Sequence, residues 1–133
     1  TEDFIYHARR TRKVLGGGMR QAGILASAGL VSLNQMTTQL NTDHQNLCKL
    51  AEGLETINAI ELNPEDFKTN ILYFKLTNCD LSDDEFVSKM EAHGVRFFAL
   101  GENRFRLVTH SGVNKTDIQI TIEKFKEILE DNE

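Results

Sequence analysis

The chain has 133 residues, 40% of them apolar and 26% charged, with 15 Lys+Arg against 20 Asp+Glu for a net charge of −5. This is the length of about one domain and an ordinary globular make-up, which excludes a wholly disordered or fibrous protein. The negative balance argues against a general nucleic-acid or membrane-surface role, and the run from Ala22 to Val31 is only half of the roughly 20 apolar residues a spanning helix needs.

Residues 3–15 are predicted as a helix, with Phe4, Ala8 and Leu15 on one face and a basic opposite side. Gly16-Gly17-Gly18 should end it, because glycine supplies the positive φ that a helix C-terminus favours. From Met19 to about Leu40 the apolar residues go all round a second helix, which predicts burial against another helix or a partner subunit. Thr42 and Gln45 fit a capping box opening a third helix, with Leu47, Leu50, Ala51, Leu54 and Ile57 at helical spacing.

After Asn58 the period changes. Residues 59–62 and 70–76 are predicted as strands flanking a loop with the single proline, Pro64. Ser82 and Glu85 form a second capping box, with Leu81 placed to staple onto Phe86, and that helix should stop at Gly94. Residues 95–100 and 104–109 make a hairpin across Gly101-Glu102-Asn103. Asn114 caps a last helix with Ile118, Ile122, Phe125 and Leu129 on its inner face. The predicted fold class is α+β. Long N-terminal helices (residues 1–40, linker and interface) precede a small, mostly antiparallel sheet with helices on one face (residues 41–133).

The glycine corner is the sharpest chemical feature. A glycine run feeding a helix N-terminus exposes N–H groups where an anion is favoured. Arg20 adds a planar donor fork suited to phosphate, and Lys13, one helical turn before the glycines, a point charge. A plain junction between two solvated helices uses the same residues. Arg104 and Arg106 share a strand face with Val108 while Phe105 and Leu107 turn to the core, so the pair either holds a carboxylate or is simply solvated. His44 and Cys48 are spaced i, i+4 but lack further ligands, and no metal site is expected. Asp83, Asp84 and Glu85 sit where a helix N-terminus wants negative charge, and His93 where its C-terminus wants positive charge. Glu127 to Glu133 is a solvated acidic end, and no nucleophile with its base can be assembled from the spacings.

The run ARRTRKVLGGGMRQAG over residues 8–23 closely resembles the segment of threonine aldolases that follows the lysine bearing pyridoxal phosphate. The likeness extends through Ala26–Leu30, Asp43-His44, Lys68-Thr69-Asn70 and residues 105–110, essentially the whole chain, as the C-terminal third of such an enzyme. The chain departs at Ser111-Gly112, where the family has an acidic residue soon after the histidine, so no role is carried over to His110.

The resemblance implies the aspartate-aminotransferase fold type and a parent lyase splitting L-threonine or L-allo-threonine to glycine and acetaldehyde. It implies that Lys13 and Arg20 lie near the cofactor phosphate, reaching it from a neighbouring subunit of a homo-oligomer, in the parent a tetramer. It implies that Arg106 binds the carboxylate of the amino-acid substrate. The Schiff-base lysine, the residue over the ring and the acid on the pyridine nitrogen would all lie upstream, leaving no catalytic residue here and a chain inactive by itself. The start at Thr1 within a helix fits a piece of a longer polypeptide, and the two cysteines, Cys48 and Cys79, fit a reducing, cytoplasmic or mitochondrial setting. The alternative is a self-sufficient α+β module for ligand binding or dimerisation, without catalytic activity.

Overall fold

A computed structural model describes residues 1–63, 67 and 69–130. The expected loop at Pro64, Lys68 and the last three residues of the acidic tail lie outside the described residues. The chain divides into two units, residues 1–37 and 38–133.

In the first unit, helix α1 spans Glu2–Val14. Thr1 caps it, accepting the Phe4 N–H at 3.3 Å, with Glu2 and Asp3 in the first turn and Arg12 and Lys13 in the last, as the helix dipole favours. Gly16, at φ +89°, closes it. The Gly17 N–H donates to the Arg12 carbonyl at 2.7 Å and the Gly16 N–H to the Lys13 carbonyl at 3.3 Å, the paired bonds of a Schellman end.

The single helix expected from Met19 to Leu40 is broken. Residues 20–22 form a turn with Gln21 at φ +54°, α2 spans Gly23–Val31, and a π-helical stretch follows over Ser32–Met36. Ser32 and Thr37 donate hydroxyls to the carbonyls four residues back (3.1 and 3.5 Å), competing with the backbone ladder along the π-helical stretch, and Ser27 does the same within α2 (2.7 Å). The apolar side chains of α2 are exposed in this chain, Ile24 at 71% and Leu25 at 62%.

In the second unit α3 spans Gln39–Leu54, so Thr42 lies inside its first turn and the expected capping box there does not form. Gln39 instead donates to the Asp43 carboxylate at 3.3 Å. Strands β1 (Ile60–Leu62), β2 (Ile71–Leu76), β3 (Phe98–Gly101) and β4 (Arg104–Val108) form one antiparallel sheet in the order β1-β2-β4-β3. Ile60 faces Leu76, Phe74 faces Phe105, and Phe98 faces Arg106. Between them lie α4 (Asp83–Ala92) and, at the end, α5 (Lys115–Glu130).

Alternation decides the two faces of the sheet. Leu72, Phe74, Leu76, Phe105 and Leu107 are buried with residues of α3, α4 and α5 in one core. Its centre is five phenylalanines, Phe74, Phe86, Phe97, Phe105 and Phe125, whose ring centroids lie 5.1–6.4 Å apart, mostly edge to face. The expected α+β arrangement with helices on one face is therefore the observed one.

Both later caps form as predicted. Ser82 and Glu85 bond reciprocally, and Leu81 packs against the core that holds Phe86. Asn114 accepts from Thr116 N–H at 2.8 Å and Asp117 N–H at 3.2 Å, while Asp117 accepts back at 2.8 Å. The β3–β4 turn has Glu102 and Asn103 at φ +58° and +59°, the twist a two-residue hairpin loop requires.

Candidate functional site

Of the candidate residues, Lys13 and Arg20 lie in the first unit and Arg104 and Arg106 in the second. In the first unit, the Lys13 side chain folds back over Gly18, and its ammonium donates to the Gly18 carbonyl at 3.4 Å. A β-carbon on Gly18 would collide with that side chain, and one on Gly17 would lie 2.6 Å from Arg12 Cγ, so the glycines let the two cationic stems lie against the backbone. Arg20 is exposed, on the turn ahead of α2. The triglycine thus leads into a turn, and the N-terminus of α2 comes later, at Gly23.

In the second unit the sheet face away from the helices carries Tyr73, Lys75, Arg104, Arg106 and Val108. The two arginines are not equivalent. Arg104 is mostly exposed, 3.7 Å from Glu102, and stands opposite Lys75. Arg106 is half-buried in the central strand, between its register partners Tyr73 on β2 and Phe98 on β3. Partners across antiparallel strands project to the same face, so the arginine stands in a row between two aromatic rings. Its guanidinium carbon is 5.1 Å from the centroid of Phe98, within cation–π range. Its Nε is buried and has no hydrogen-bond partner among the described residues.

Strand spacing located Arg106 but missed Tyr73 and Phe98. The available signal was alternation, which sends one of the adjacent Phe97 and Phe98 to the open face. On this face, a groove of about 320 Å³ is lined by Glu61, Tyr73, Lys75, Leu100 and Arg104 among others.

The other candidates are structural or solvated. His44 and Cys48 share an outward strip of α3, and among the described residues no three His, Cys, Asp or Glu side chains converge on a metal-sized position. Two hydrogen bonds from Ser82, from its hydroxyl at 2.6 Å and its backbone N–H at 3.0 Å, hold the Glu85 carboxyl below the ordinary carboxylate range. A 2.5 Å hydrogen bond from Lys124 lowers Glu127 in the same way. His110 accepts the Gly112 N–H on Nδ1 at 3.0 Å, which fixes its own loop. No helix of the described residues is long and apolar enough to cross a membrane.

An antiparallel sheet backed by helices on one side, with one arginine between two aromatic residues on its bare face, defines an α+β domain. Residues 1–77 match the family described as beta-eliminating lyase, and the chain belongs to that family. Over 130 residues it is 31% identical to low-specificity L-threonine aldolase 1 of Arabidopsis thaliana, covering 97% of this chain and 36% of that protein. Over 116 residues it is 34% identical to the low specificity L-threonine aldolase of Escherichia coli strain K12, covering 87% of this chain and 33% of that protein. The resemblance read from residues 8–23 and beyond is thus borne out, and the chain spans about a third of the length of these relatives. Among solved structures, that of MppP soaked with the product 2-ketoarginine matches 75% of this chain and 30% of its own, with a TM-score of 0.58 at 8% identity, a likeness of fold.

Proposed function

We propose that this chain is the C-terminal portion of a pyridoxal-phosphate-dependent threonine aldolase, which splits L-threonine or L-allo-threonine into glycine and acetaldehyde. The observation that carries the reading is Arg106, a permanently charged fork held half-buried on the open sheet face, where a carboxylate can be gripped at two points. Lys13 and Arg20 hold the cofactor phosphate. The Lys13 ammonium, already set against the triglycine backbone, fits that group. When bound, pyridoxal phosphate supplies the electron sink for breaking the bond between the α- and β-carbons.

None of the eight lysines (13, 49, 68, 75, 89, 115, 124, 126) sits in the motif of the cofactor-bearing lysine in the resembled family. The Schiff-base lysine therefore comes from sequence outside this chain, and the chain alone is inactive. The exposed apolar residues of α2 pack in a homo-oligomer, a tetramer in the parent enzyme. The setting is cytoplasmic or mitochondrial.

One observation favours the second reading, a self-sufficient ligand-binding module: among the described residues, the buried apolar side chains all lie between Leu47 and Leu129, within the second unit. One experiment separates the two. Joined to the upstream sequence, the chain should show the visible absorption of bound cofactor and release acetaldehyde from threonine, and alone it should do neither. Calorimetric binding of glycine or threonine by the isolated chain, with no turnover by the longer protein, would overturn the aldolase reading in favour of the module.

A further inference from the structure

We infer that Phe98 is a positioning residue for Arg106, an inference that rests on the proposed reading of Arg106 as the carboxylate-binding group. Phe98 is 64% exposed, on a strand whose neighbouring Phe97 already fills the core position. A large apolar ring left this open contributes little to burial, so its position calls for another explanation. The register supplies one. Phe98 is paired directly with Arg106, and its ring lies 5.1 Å from the guanidinium carbon.

An arginine side chain otherwise spreads over many rotamers, and fixing it at the moment of binding costs affinity. The ring face holds the guanidinium beforehand through attraction between its quadrupole and the cation. The sealed Nε defines the orientation that results. With the N–H nearest the stem enclosed, the two terminal nitrogens form the edge that meets a carboxylate, end on and at two points. Phe98 therefore acts on amino-acid binding and leaves the carbon–carbon cleavage itself untouched.

The test uses the full-length cofactor-loaded enzyme with Phe98→Leu, Phe98→Tyr and Arg106→Lys. Phe98→Leu keeps apolar bulk and should raise the KM for threonine on the order of tenfold with kcat nearly unchanged. Phe98→Tyr keeps the ring face and should restore the KM. An unchanged KM in Phe98→Leu, alongside a raised KM in Arg106→Lys, overturns the role of Phe98 alone. An unchanged KM in Arg106→Lys overturns the reading of Arg106 instead. Should Phe98→Leu fail to fold, NMR of the 133-residue chain decides. The Arg106 Nε–H proton should carry a ring-current shift that Phe98→Tyr retains, and a proton at its free-arginine position would overturn the proposal.

Discussion

Thr109, one residue past β4, donates its buried hydroxyl to the backbone carbonyl of Asp43 in α3 across 2.7 Å. The backbone N–H of the same threonine donates to the Asn70 carbonyl at 3.0 Å, and its carbonyl accepts from the Asn70 amide at 2.7 Å. Asn46 adds a bond from its buried amide to the Val113 carbonyl at 2.9 Å. Together these bonds tie α3, the start of β2 and the end of β4 into one polar latch, three residues along the chain from Arg106. Asp43, Asn70 and Thr109 are among the residues that carry the resemblance to threonine aldolases, and their shared task here is to fix the scaffold that presents the arginine.

Replacing Thr109 with valine keeps the shape and removes the donor. The Asp43 carbonyl loses that partner in the interior, which should cost about 1–3 kcal/mol in urea unfolding. Thr109→Ser keeps the hydroxyl and gives up one methyl, for a loss of about 0.8 kcal/mol. No loss in Thr109→Val beside a loss in Thr109→Ser would show that packing, and not the bond, holds the latch.

Gly53 sets how closely α3 and α5 approach. A β-carbon there would lie 2.7 Å from Cγ1 and 3.0 Å from Cγ2 of Ile122. Gly53→Ala should improve helix propensity by about 1 kcal/mol but overpack the contact by about 1–3 kcal/mol, for a net destabilisation. Ile122→Ala removes the obstructing atoms, so the double variant should lose less stability than the two single losses added together. Strict additivity in denaturant melts would rule out the close contact.

Local chemistry explains what was legible in the sequence. The caps at Ser82 and Asn114 were readable because donor and acceptor lie three residues apart. The core was readable because alternation in the strands and helical spacing in α3 and α5 each fix a face. The break between α2 and α3 was not. Its hydroxyl bonds from Ser32 and Thr37 leave no trace in an apolar pattern, so an even run of small residues read as one helix. Nor was Asn46 legible as a core residue, since its partner Val113 is 67 positions away. Arg106 was found by residue type and strand face, whereas its aromatic flanks depend on pairing between strands, which the sequence does not state.

The Ser82–Glu85 box predicts a pH dependence with a definite sign. Hydrogen bonds from Ser82 lower the folded-state pKa of Glu85 beneath its ordinary value of 4.5. A lowered pKa means the stabilisation is full above the unfolded-state value and is lost as pH falls through the folded one. Wild type should therefore exceed Glu85→Gln in stability at pH 7, with the difference shrinking below about pH 4.5 and gone once the carboxyl is protonated. Melting curves of both proteins from pH 7 to pH 3 test this, and a difference that stays constant or grows on acidification would contradict the capping assignment.

The contact between Lys13 and Gly18 makes the phosphate reading testable without touching a charge. An added β-carbon at Gly18 would fall against the lysine side chain, 2.8 Å from its Nζ, whereas one at Gly23 would meet nothing within 4 Å. Gly18→Ala should therefore displace the ammonium from the glycine corner and weaken pyridoxal phosphate binding in the full-length enzyme by on the order of tenfold, equivalent to about 1.4 kcal/mol. Gly23→Ala, at the start of α2, should leave affinity unchanged, because it adds helix propensity in open space. Lys13→Met should match Gly18→Ala, and combining them should add little, since both remove one interaction. Full affinity in Gly18→Ala, measured by cofactor absorbance during dialysis, would take Lys13 out of the phosphate site.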